Sequence, residues 1–261
     1  MGLAYERHGA GPPLVLLHGV GHRRQAWQAV IGLLTPRRTV IAVDLPGHGE
    51  SPPLTLAGRR PVPAIAEELF AFFDELGLDR PHVAGNSLGG ALALIAGARG
   101  RAATVTGLSP AGFWARDWEF GYAKGVFAAA QLFGVAVRPL IPALTRRTFG
   151  RALIEGGFIA RPSRMPASQA AGDALAFLRT RDTVRVILAG PVSFAEPVPA
   201  GVPVTIAWGA KDRVLPPRQA LVAMERLPGA TFVPLPGCGH VPMTDDPALV
   251  AKVLLDCSEM A

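Results

Sequence analysis

The stretch Gly85-Asn86-Ser87-Leu88-Gly89-Gly90 follows the short apolar run His82-Val83-Ala84-Gly85 and leads directly into an alanine-rich apolar stretch, residues 91–98. The short run reads as a buried strand and the stretch after it as a helix. A serine caught between them must occupy a sharp turn if its Oγ is to protrude, and flanking glycines remove the Cβ atoms that would crowd that turn. The first helical turn also offers free N–H groups and the positive end of the helix dipole close to the serine oxygen. Gly-x-Ser-x-Gly in a strand-turn-helix setting is therefore the signature of an exposed nucleophile.

Residues 14–17, 40–43, 104–108, 202–208 and 231–235 are further short apolar runs bounded by Gly, Pro or Asp, and they too read as buried strands. Helical stretches lie between them. In residues 64–76, for example, Ile65, Leu69, Phe72, Phe73 and Leu76 share one face while Glu67, Glu68, Asp74 and Glu75 lie largely elsewhere. Alternating strands and helices imply an α/β protein with a mostly parallel central sheet flanked by helices on both faces. The alternation breaks over residues 112–190, where Trp114, Trp118, Phe120, Phe127 and Phe133 accompany helical segments punctuated by prolines. The expected organisation is a core of residues 1–111 and 191–261 with a helical insert at 112–190, its aromatics mostly in the core.

A chain of 261 residues accommodates one large α/β domain with such an insert. Its 49% hydrophobic content excludes a disordered chain. Two cysteines, Cys238 and Cys257, are too few for a disulfide scaffold and lack zinc-site spacing. That points to a cytoplasmic setting. Glu6 and Arg7 interrupt the region where a secretion signal needs an unbroken apolar core. The longest mostly apolar uncharged run, residues 125–137, is shorter than the roughly 20 residues of a membrane helix and reads as a buried or lid helix, so no stable membrane insertion is expected.

The net charge of +6 is confined to residues 112–190, which hold ten arginines and one lysine against five acids. Arginine outnumbers lysine 23 to 3 in a chain rich in Ala, Gly and Pro, so compositional bias explains the excess as readily as a field drawing an anionic substrate, partner or lipid surface. No nucleic-acid motif accompanies the charge, and no nucleic-acid partner is expected. Residues 85–90 are not a dinucleotide fingerprint, and no cofactor or metal is expected.

With these parts in place the sequence resembles the α/β-hydrolase superfamily. His18-Gly19-Val20-Gly21 is similar to that family's oxyanion loop, and Asp44-Leu45-Pro46-Gly47-His48-Gly49-Glu50-Ser51 to its DxxGxGxS turn. Trp208-Gly209-Ala210-Lys211-Asp212 looks like the loop carrying its acid, and Gly237-Cys238-Gly239-His240 like the loop carrying its histidine. The order Ser87, Asp212, His240 is the family order. The resemblance implies Ser87 as nucleophile, His240 as its base, Asp212 orienting the imidazole, and the backbone N–H groups of Val20 and Leu88 as oxyanion donors. No carboxylate stands at Ser109-Pro110-Ala111, where the family sometimes places the acid, so Asp212 is preferred. Asp44 reads as a structural brace, His18, His22 and His48 as structural or lining the mouth, and Cys238 as a packing thiol. Before residue 14 there is room for only one extended segment, residues 2–8, where relatives often have a hairpin.

The leading expectation is a cofactor-independent serine hydrolase for a small-to-medium apolar ester, thioester or lactone, with an anionic substrate as an alternative and the insert as cap. A carbon–carbon bond hydrolase acting on ring-cleavage products is a second reading, although Val241 stands where those relatives often have Trp. Perhydrolase or lyase chemistry on the same residues, and a ligand-binding protein without rapid turnover, are further alternatives. Serine at the turn argues against haloalkane dehalogenases and epoxide hydrolases, which use Asp there.

Overall fold

The structure, a computed structural model, describes residues 2–190 and 192–260. The domain limits expected at residues 1, 191 and 261 fall outside them.

Strands β1 (Tyr5–His8), β2 (Pro13–Leu17), β3 (Thr39–Val43), β4 (His82–Asn86), β5 (Val105–Leu108), β6 (Val204–Gly209) and β7 (Thr231–Leu235) form one sheet in the order β1-β3-β2-β4-β5-β6-β7. All neighbours are parallel except β1, which runs antiparallel to β3. The segment at residues 2–8 thus supplies a single edge strand. It carries little apolar pattern because three of its four strand residues face solvent.

Side-chain alternation divides the core into two layers. Leu14, Leu16, Val40 and Ala42 pack with Trp27, with Val30 and Leu34 of α1 (Gln28–Leu34), and with Val250, Val253 and Leu254 of α11 (Pro247–Ser258). Val15, Leu17, Ile41 and Val43 point the other way, against Ile65, Leu69 and Phe73 of α2 (Pro61–Glu75) and Leu92 of α3 (Leu88–Ala98). A period of two in sequence is thereby a choice of face. The chain turns outward from β2 to β3 and then returns to place β4 on the other side of β2. Ligands of open α/β sheets bind beyond the strand C-termini at such a reversal, and both the Ser87 turn and the His18 loop leave the sheet there.

Between β5 and β6 run α4 (Trp118–Val137), α5 (Ile141–Thr145), α6 (Thr148–Glu155), α7 (Ala167–Arg179) and α8 (Arg181–Ile187). Polar contacts fasten them to the sheet layer. Buried Glu119 at the start of α4 accepts from the Ala115 N–H (2.9 Å), from Arg218 Nε (2.5 Å) and from Gln219 Nε2 (2.7 Å), the last of these at the start of α9 (Gln219–Arg226). Arg23 pairs with Asp173 of α7 at 2.7 Å, and the Thr183 hydroxyl on α8 donates to the Gly47 carbonyl.

Three of the five aromatics of this segment are core, Phe127 buried and Trp114 and Phe120 packed half-buried against it, while Trp118 is 52% and Phe133 38% exposed. Trp118 instead lies under the Arg218 guanidinium, 5.1 Å from its ring centre. One expectation for this segment needs correction: the apolar run at 125–137 is part of something longer. Through a 3-10 turn at Arg138–Leu140 α4 continues into α5, so the helical stretch Trp118–Thr145 spans 28 residues and is long and apolar enough, by length and composition, to cross a membrane. Its outer side is bare, with Leu132 76% exposed.

The start of α3 is the tightest junction. A Cβ at Gly89 would collide with the Leu17 and His18 carbonyls, and one at Gly85 with the Gly89 backbone. Gly89→Ala is therefore expected to destabilise the protein by about 1–3 kcal/mol, the usual cost of overpacking. Urea denaturation measures it, and an unchanged midpoint would contradict the packing described.

Candidate active site

Ser87 sits between β4 and α3 with φ 56° and ψ −116°, a left-handed conformation that costs a non-glycine residue strain. The surrounding backbone holds it there. Its N–H donates to the Leu108 carbonyl at 3.0 Å, and its own carbonyl accepts from the N–H groups of Ala91 (3.1 Å) and Ala111 (3.0 Å). Ser87, Asp212 and His240 are all buried.

Asp212 follows β6. Its Oδ1 accepts from the N–H groups of Val214 (2.9 Å) and Leu215 (2.8 Å), which aims Oδ2 at His240 Nδ1, 2.8 Å away. That hydrogen bond places the acceptor lone pair of the imidazole on Nε2. Nε2 is buried, has no hydrogen-bond partner among the described residues, and borders the same cavity as Ser87. Ser87 and His240 thus line one cavity, with no hydrogen bond between the Ser87 hydroxyl and Nε2 in this conformation.

The loop after β2 reaches the serine because Gly19 has no side chain; a Cβ there would lie 3.2 Å from that of Ser87. Among the described residues neither the Val20 nor the Leu88 N–H has a partner, and Leu88, as the first residue of α3, has no helical acceptor. Two buried histidines hold this loop. His18 Nε2 accepts from the Leu45 N–H at 3.0 Å, so its proton is on Nδ1 and donates to the Gly19 carbonyl at 2.8 Å. His48 Nε2 accepts from the Gly21 N–H at 3.0 Å and its Nδ1 donates to the Pro46 carbonyl. Asp44 braces the adjoining turn, accepting from the N–H groups of Arg24 (2.7 Å) and Glu50 (3.0 Å) and pairing with the Arg24 guanidinium.

Two positioning residues escaped the sequence reading. Asn86 Nδ2 donates to the Leu108 carbonyl (3.1 Å) and the His240 carbonyl (2.8 Å), joining the serine strand to the histidine loop. Buried Asp245, in α10 (Pro242–Asp245), accepts from the N–H groups of Gly239 (2.7 Å), Ala160 (3.0 Å) and Arg161 (2.5 Å), joining that loop to the segment between α6 and α7. Asn86 lay inside the motif, but its partner is 154 residues away; Asp245 had no local signal. Cys238 is buried, and burial with Asp245 and Asp246 nearby pushes its thiol up to about 11, which suits a packing role.

A cavity of about 330 Å³ opens over Ser87 and His240, walled by apolar residues including Phe127, Phe133, Ile141, Leu153 and Phe177. No arginine or lysine lines it among the described residues; its titratable neighbours are His22, Glu155, Asp173 and His240. A smaller pocket of about 30 Å³ also touches Ser87, Val20 and Leu88 and is closed by Ala111, Trp114 and Phe120.

Burial holds His18 well below its ordinary value and His48 down to about 4, so the unfolded chain takes up these protons first as pH falls. The contribution of His48 is complete above pH 6.5 and is lost between pH 6.5 and about 4, a loss on the order of 3 kcal/mol. Unfolding free energies across that window should decline less steeply in His48→Gln than in the wild type. Equal slopes would refute the depressed titration of His48.

A profile of the alpha/beta hydrolase family matches residues 14–253. An uncharacterized protein of Mycobacterium tuberculosis is 31% identical over 276 aligned positions, covering 99% of this chain and 79% of that protein. A pimeloyl-(acyl-carrier protein) methyl ester esterase of Aeromonas hydrophila is 30% identical over 270 positions, covering 97% of this chain and 98% of that enzyme. Among solved structures, a membrane phospholipase A described as a bacterial virulence factor superposes with a TM-score of 0.76 at 26% identity, covering 99% of this chain and 84% of that one.

Proposed function

The chain belongs to the alpha/beta hydrolase family and is a hydrolase, and from that premise we propose that it cleaves a small-to-medium apolar ester, thioester or lactone through a Ser87 acyl-enzyme. The observation that carries the reading is the strained serine beside an imidazole whose Nδ1 is held by Asp212 and whose Nε2 is unengaged. In this reading His240 takes the Ser87 proton as Oγ attacks the carbonyl carbon, and Asp212 stabilises the imidazolium without taking the proton. The tetrahedral oxyanion accepts from the Val20 and Leu88 N–H groups, each worth on the order of 3 kcal/mol in the transition state. His240 then protonates the leaving alkoxide, and water attacks the acyl-enzyme by the reverse proton path.

The two pockets suggest how the substrate divides at the serine. The larger, about 330 Å³, suits a medium apolar arm. The smaller, about 30 Å³, suits only a small group such as a methyl. The esterase relative acts on a methyl ester, in keeping with that division. The acidic rather than basic lining of the larger cavity disfavours both an anionic ester and the carboxylate-bearing substrates of carbon–carbon hydrolases.

We assign residues 112–190 the role of a cap. The inner side of α4, through Ala130, Phe133 and Val137, lines the cavity, which supports a helix lying over the site rather than crossing a bilayer. Two free, buried cysteines suit a cytoplasmic setting.

Steady-state kinetics on methyl esters of increasing acyl length test the proposal. Turnover is expected to peak at medium chains and to fall when the methyl is exchanged for a bulky alcohol. Ser87→Ala should abolish it, and Asp212→Asn should lower kcat by about 10⁴. Esters turned over equally well by folded Ser87→Ala would sink the reading.

A further inference from the structure

The apolar cavity over Ser87 contains two acids that the proposed mechanism does not use. Glu155, the last residue of α6, and Asp173, in the middle of α7, are both more than nine-tenths buried, and both line it. Asp173 is half satisfied. Its Oδ1 receives Arg23 Nε at 2.7 Å, while its Oδ2 is buried without a partner. Glu155 lines the same cavity, and its carboxyl oxygens are not among the fully buried unpaired atoms, so they keep contact with that space. Buried polar groups are normally paired, and an apolar wall would otherwise be the cheaper construction.

The neighbouring charges do not supply the missing partner. Arg151, also on α6, donates to the Thr145 carbonyl, and Arg161 and Arg164 turn to the Asp245 carbonyl. His22 and His240 are the other titratable groups on the cavity wall. Were both carboxyls ionised, the single cation Arg23 would leave one negative charge facing the cavity. A group with several N–H donors and one positive charge satisfies both the geometry and the charge count.

We propose that Glu155 and Asp173 form a subsite for an alkylammonium group carried on the apolar arm of the ligand, and that the cavity rejects carboxylates. The proposal rests on the serine-hydrolase reading only for what lies at the other end of that arm. Without a ligand, burial and the Asp173 charge push the Glu155 carboxyl up to about 8, so it stays mostly protonated at neutral pH and the empty cavity avoids an uncompensated anion. Binding of an ammonium expels that proton, which makes affinity rise with pH.

The test is calorimetric titration of the wild-type protein with hexylammonium, hexanol and hexanoate, which need no turnover. At pH 8.5 hexylammonium is expected to bind at least about tenfold more tightly than the other two. Its affinity should rise roughly twentyfold from pH 6.5 to 8.5 as the ionised fraction of Glu155 grows. Glu155→Gln, close in shape to the protonated acid, should flatten that rise and erase the preference, with its fold checked by thermal melting. Asp173→Asn provides a second variant, expected to weaken hexylammonium binding relative to hexanol. Hexanoate or hexanol binding as tightly as hexylammonium would overturn the subsite, as would an unchanged pH dependence in Glu155→Gln. Ammonium binding without ester turnover would leave the subsite standing and remove only the hydrolase mechanism.

Discussion

Helix α3 begins against the carbonyl ends of β2 and β4, with only the hydrogens of Gly85 and Gly89 in the space between. That contact forces the one-residue turn at Ser87, puts its φ at 56°, and brings the first N–H of α3 beside its hydroxyl. Gly19 completes the arrangement from the β2 side. The strain at Ser87 is of order 1–3 kcal/mol, and it is sustained by a hydrophobic core in which the first ten residues of α3 are all buried. The geometry at Ser87 is thus a consequence of close packing between a helix and two strand ends.

Around that contact, buried polar groups act as ties between segments far apart in sequence. His18 and His48 hold residues 19–21 against the 45–48 turn, and their depressed pKa values keep them neutral at neutral pH, so each donates at one nitrogen and accepts at the other. Asn86 and Asp245 do the same for the histidine loop. The Oδ2 atom of Asp173 lacks such a partner, and it shares a cavity wall with Glu155.

The sheet was legible in the sequence because its inner strands are buried on both faces and read as unbroken apolar runs, as in Val40-Ile41-Ala42-Val43. The candidate residues that the structure brings together were legible because the sharp turn demands glycines at fixed offsets around Ser87, and because the loops of Asp212 and His240 carry their own local patterns. What escaped was set by tertiary contact. β1 was legible only as an extended segment over residues 2–8, because it is exposed, paired on one side and carries little apolar signal. Trp118 looked like core but is covered by Arg218 from another element. The charge excess of residues 112–190 read as compositional bias or, failing that, a field for an anionic ligand, yet the cavity lining includes the acids Glu155 and Asp173 and no arginine among the described residues. Composition reports charge without direction.

The central claim is that this packing delivers an activated serine. Intact-mass analysis of protein treated with a fluorophosphonate addresses it most directly. The account predicts one phosphonyl adduct on the wild type, none on Ser87→Ala and strongly slowed labelling of His240→Ala. No adduct on the folded wild type, or an adduct that persists in Ser87→Ala, would contradict it.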